Sequence, residues 1–93
     1  MTIDEMKANV EAGILLLDQE IPDWRRGIDP DNLSMELCED CILGQIYGFF
    51  DTGCAQLGLS LADAERLGFY LNDYDATPDN HSLLDALWIE ALS

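Results

Sequence analysis

The chain has 93 residues, enough for one domain and too few for two, and 48% of them are apolar, which excludes a disordered polymer. Asp and Glu number 19 against four cations, Lys7, Arg25, Arg26 and Arg66, for a net charge of −15. Binding phosphates takes clustered Lys and Arg, so this balance excludes nucleic acid as a direct ligand, and the anionic surface of a membrane with it.

Thr2 and Glu5 stand in the Ser/Thr-x-x-Glu arrangement of a capping box, in which each side chain satisfies an otherwise unpaired backbone donor, so the first helix starts there. Ile3, Met6, Val10, Ile14, Leu17 and Ile21 then recur every three or four residues and draw one apolar stripe, which Pro22 ends. From Pro22 to Ser34 the chain is dense in turn formers and reads as a structured connector. Asp29 before Pro30 suits a cap followed by proline in the first helical position, which places a short turn around Asp31 to Leu33. Trp24, Ile28 and Leu33 are expected to fold back onto the core.

The stretch from Met35 to Phe50 carries Cys38, Ile42, Ile46 and Phe49 on one helical side and predicts a buried helix. Gly44 and Gly48 lie four apart on it, where missing side chains admit a second helix; alternatively, Gly48 ends a shorter helix. A short helix is expected around Cys54, Ala55 and Leu57. Ser60 and Asp63 offer a second capping start, for a helix through Leu61, Ala64 and Leu67 that Gly68 stops. Phe69, Tyr70 and Leu71 form a brief apolar run suited to covering the core in extended form. Thr77 and Pro78 then cap and open a last helix whose stripe is Leu84, Leu87, Trp88 and Ala91. No alternating run is long enough for a sheet, so the expected fold is all-α: a single compact domain, residues 1–93, of about four to five short helices.

No run of about 18 apolar residues is present, and Thr2, Ile3, Asp4 and Glu5 occupy the positions where an export signal carries Lys or Arg. These features predict a cytoplasmic protein without a membrane segment. The odd count of three cysteines fits reduced thiols.

Cys38-x-x-Cys41, Cys54 and the single histidine, His81, compose a three-cysteine, one-histidine set of the kind zinc accepts. A closed zinc site displays two compact ligand pairs, whereas Cys54 and His81 each stand alone, so no metal or other cofactor is expected. Redox work by the same pair needs an activated thiolate, and Glu39 and Asp40 between the two cysteines oppose one. Two stretches open like calcium loops, at Asp29 and Asp31 and at Asp73, Asp75 and Thr77. The first has Leu33 at a ligand position and Ser34 where glycine is required; the second has Pro78 and Leu84 at the glycine and bidentate-glutamate positions. No nucleophile elbow, phosphate loop or zinc-helix motif is present, and no catalytic residue is assigned. Trp24 and Trp88 read as core anchors, and His81 as a partly exposed residue in the first turn of the last helix.

Asp4, Glu11 and Asp18 recur every seven residues on the first helix, which sets them on one face about 10 Å apart. They form a negative ridge, read either as a solvated outer face or as a surface for a cationic partner. The net charge exceeds the −2 to −8 or so that solubility explains, and carries a cost in self-repulsion.

With Leu17-Asp18, Pro22-x-Trp24, Ile28-Asp29 and Leu33, then Cys38 to Leu43-Gly44-Gln45-x-x-Gly48, the chain resembles small acidic uncharacterised proteins of actinobacteria and their bacteriophages. Leu57-Gly58-Leu59 and Leu67-Gly68-Phe69 extend the resemblance over most of the chain. In that group the cysteines stand closer, as Cys-x-Cys. The resemblance implies an origin and no activity. The expected function is therefore a non-enzymatic acidic binding protein, phage-encoded on that resemblance, that engages a basic surface of a nucleic-acid-binding or other host protein in the manner of a DNA mimic. The alternative is a structural or assembly module that docks or self-associates through an apolar face containing Trp24, Phe49, Phe50 or Tyr70.

Overall fold

The computed structural model describes residues 1–93, folded into five α-helices with no strand. The helices are α1 (Ile3–Glu20), α2 (Ile42–Tyr47), α3 (Phe50–Leu57), α4 (Leu61–Arg66) and α5 (Pro78–Ala91), with one 3-10 turn at Trp24–Gly27. Helix α1 packs on α4 and α5, while α2 packs on α3 and on the 3-10 turn. A single apolar cluster joins the two groups, and the molecule measures 29 × 27 × 21 Å.

Three helices start where local chemistry dictates. Thr2 and Glu5 form the reciprocal capping box of α1, Ser60 and Asp63 form that of α4, and Thr77 accepts from the Asn80 backbone ahead of Pro78 at α5. Met6, Val10 and Leu17 of the α1 stripe are buried, but Ile3 at its outer end is exposed. Trp24, Ile28 and Leu33 of the connector fold back into the core as expected, and Asn32 and Leu33 donate to the Asp29 and Pro30 carbonyls in the turn between them. Phe69 and Leu71 are buried in the irregular chain between α4 and α5, with a bend at Phe69.

Trp88 is the centre of the core. Its ring stacks on Phe69 at 5.4 Å between centroids and meets the edge of Trp24 at 5.9 Å. Its indole N–H donates to the Gly68 carbonyl at 2.7 Å, so the polar end of this fully buried side chain has a partner.

The helix expected over Met35 to Phe50 does not form as one piece. Residues 35–41 make a chain of turns, α2 starts only at Ile42, and Gly48, at φ +93°, ends it before α3 begins at Phe50. The cause is tertiary. The Cys38 carbonyl accepts from the Phe50 N–H at 2.9 Å instead of from a helical neighbour, and Cys41 caps α2 by accepting from the Gly44 N–H at 3.3 Å. A Cβ at Gly44 would overlap the Cys38 carbonyl, so what approaches this glycine is the preceding turn, not another helix. Gln45 fixes the same region by accepting from the Asp29 N–H at 2.6 Å and donating to the Asp29 and Asp40 carbonyls.

The four rings expected to contribute to an exposed apolar face differ in burial. Trp24 and Phe50 are buried and Tyr70 is half-buried against Phe50, which leaves Phe49 alone exposed. Burial wins because these rings supply core area that a chain of this size has in short supply.

Candidate functional site

No carboxylate is buried, so the surplus charge lies entirely on the surface. The fold separates these groups into two kinds. Some hold the structure together. Asp18 accepts from the Trp24 indole at 2.8 Å and from Arg25 at 2.7 Å, and Arg25 also lies 4.5 Å over the Trp24 ring and donates to the Ala91 carbonyl at 3.0 Å. This junction ties the C-terminal end of α1, which has no basic residue in its last turn, to the end of α5. Asp85 of α5 likewise holds the Met35 N–H at 2.7 Å, Glu65 and Asp75 accept from Asn72, and Asp63 caps α4 and pairs with Arg66.

The electrostatics follow from these contacts. The Trp24 and Arg25 donors hold the Asp18 carboxyl below its ordinary value of 3.8. Asp63 is held below the same value by the Ser60 backbone and hydroxyl, with Arg66 adding to the effect.

The other kind makes no hydrogen bond or ion pair within the chain. Asp4 and Glu11 on α1 are of this kind, as are Glu36, Glu39, Asp73 and Asp79, all exposed. The three ridge residues thus share a face of α1 but differ in state: Asp4 and Glu11 are unengaged, while Asp18 is committed to Trp24 and Arg25. Of the side-chain cations, Arg25 and Arg66 are taken up by Asp18 and Asp63.

Two concavities carry unengaged carboxylates. A groove of about 400 Å³ between α1 and α5 has Ile14 and Leu87 in its floor and Lys7, Glu11 and Glu90 at its sides. The second, about 200 Å³, lies where the turns at 35–41 meet the irregular segment at 69–76 and the first turn of α5. Glu36 and Asp73 stand at its edge, and neither has a periodic signature that would single it out in the sequence.

The candidate zinc ligands are only partly brought together. Cys38, Cys41 and His81 line the second cleft, Cys54 does not, and no three His, Cys, Asp or Glu side chains converge as a bound metal requires. Burial also pushes the Cys41 thiol up to about 11, which keeps it protonated at neutral pH, and burial raises Cys54 as well. Cys38 alone of the three is exposed. Both residues of the Cys-x-x-Cys pair do structural work, Cys41 as a cap through Sγ and Cys38 through its backbone carbonyl. No helix is long and apolar enough to cross a membrane. The chain matches no protein family, no curated protein and no solved structure.

Proposed function

We propose that the chain is a non-enzymatic acidic binding protein that engages a basic surface of a nucleic-acid-binding or other host protein and competes there with nucleic acid. The observation that carries this reading is the split among the carboxylates: the fold uses some and leaves Asp4, Glu11, Glu36, Glu39, Asp73 and Asp79 exposed without internal partners. Asp4 and Asp79 lie in the first turns of α1 and α5, where the helix dipole favours a carboxylate. Glu11, Glu36, Glu39 and Asp73 have neither that role nor a tether, and a surplus that served only to build helix starts and tethers would not extend to them.

Scale supports the same reading. Along the longest dimension of 29 Å, duplex DNA carries about 17 phosphates at one charge per roughly 1.7 Å of axis. The net charge of −15 on a body of that length is comparable. A basic groove shaped for the duplex would attract such a body at long range and speed its association.

The experiment is affinity capture from host-cell extract with the immobilised chain at low and at high salt. A basic partner retained at low salt, released by salt and displaced by duplex DNA is the expected result, since screening weakens exposed charge contacts. Retention that salt and DNA leave unchanged contradicts the reading.

A further inference from the structure

The smaller cleft differs from the groove between α1 and α5: its lining is mostly apolar core, its charged side chains are Glu36 and Asp73, and His81 is the one other titratable ring in it besides Tyr70. Met35, Cys41, Phe50, Phe69 and Leu71 are each less than 9% exposed and form the floor. Leu37, 53% exposed, stands in its wall. Glu36 and Asp73 sit at the edge with no internal partner, and Tyr74 next to Asp73 is 90% exposed. The groove between α1 and α5 instead sets Lys7 among Glu11 and Glu90, which weakens its pull on a cationic segment.

Size restricts what enters. Sites for metabolites and cofactors span about 300 to 1,000 Å³, and this cleft has about 200 Å³. A cavity of about 150 Å³ already holds a benzene-sized group, so the space suits one apolar side chain. Resting on the reading above, we infer that the cleft receives a single apolar anchor residue of a basic segment of the partner, with flanking Lys or Arg side chains held by Glu36 and Asp73. This divides the recognition by chemistry: the rim carboxylates attract any cationic chain, and the cleft selects those with a Leu, Met or Phe between the charges.

Two synthetic peptides test this on the unaltered protein, Lys-Arg-Ser-Leu-Ser-Arg-Lys and the same sequence with Ser in place of Leu. Binding is followed by amide chemical shifts of the isotope-labelled chain at about 0.01 M and about 0.1 M salt. The expected result is at least about tenfold tighter binding of the Leu peptide, as burying that side chain implies. Its shifts should centre on residues 35–38 and 71–76. Ala76→Trp, at an exposed position lining the cleft, should abolish the preference and leave the Ser peptide unaffected. Glu36→Gln with Asp73→Asn should weaken both peptides, most at low salt. Equal affinities for the two peptides would overturn the anchor site and leave the acidic-binding reading standing. Failure of both peptides to bind at the lower salt would overturn the two together.

Discussion

The junction of Asp18, Trp24, Arg25 and Ala91 and the rim of Glu36 and Asp73 are built from the same residue type used in opposite ways. At the junction a carboxylate collects two donors, one of them the indole of a buried tryptophan, and closes the gap between two helix ends. At the rim the carboxylates make no hydrogen bond or ion pair in their own chain and line the same cleft as buried apolar side chains. The fold therefore does not require all of its acidity. Charge that stabilises nothing internally and raises self-repulsion is a cost to the folded state, and a partner that neutralises it returns that cost as binding free energy.

The largest expected effect falls on what the two regions share. Trp88 contacts Trp24 on the junction side and Phe69, in the cleft floor, on the other. Trp88→Ala should cost about 3–5 kcal/mol, close to the whole stability of a domain of this size, and denaturant melts should show it largely unfolded. Next comes Gly44→Ala, where the added methyl meets the Cys38 carbonyl. A loss of about 1–3 kcal/mol in urea unfolding is expected, together with changed amide shifts across residues 35–41. A neutral Gly44→Ala would mean that the turns at 35–41 do not need that close approach, and would break the account of why the longer helix fails.

Asp18→Asn should have a smaller effect, and its pH dependence sharpens the comparison. The folded-state pKa of Asp18 lies below 3.8 because Trp24 and Arg25 favour the ionised form. The stability it contributes is therefore complete above the unfolded value of about 3.9 and is lost as pH falls through the lower folded value. Urea midpoints of wild type and Asp18→Asn should differ at pH 7 and converge toward pH 3. Glu11→Gln, which removes an unengaged charge in mid-helix, should leave the pH 7 midpoint unchanged or slightly raised, and Asp4→Asn, in the first turn of α1, should lower it only slightly. A loss from these two equal to that of Asp18→Asn would erase the distinction between the two kinds of carboxylate.

What could be read from the sequence was chemistry closed within a few residues. Thr2 with Glu5, Ser60 with Asp63 and Thr77 with Pro78 announce helix starts because each cap is satisfied three residues away. The stripes of α1 and α5 announce the core for a similar local reason. The turns at 35–41 escaped because the spacing of Cys38, Ile42, Ile46 and Phe49 is helical, while the deciding contacts, from Phe50 to Cys38 and from Asp85 to Met35, lie 12 and 50 residues apart in the chain. The same holds for the site. Asp4, Glu11 and Asp18 could be placed on one face by counting, but Asp18's engagement depends on a connector that folds back. Glu36 and Asp73 acquire a shared setting only when two distant loops meet.

The central claim is that the carboxylates left unengaged by the fold are those a basic partner meets. It is tested most directly by comparing retention of the captured partner at low salt on wild type and on a variant carrying Asp4→Asn, Glu11→Gln, Glu36→Gln and Asp73→Asn. Loss of retention by a variant that still unfolds cooperatively is the predicted result. Undiminished retention by this variant would contradict the claim.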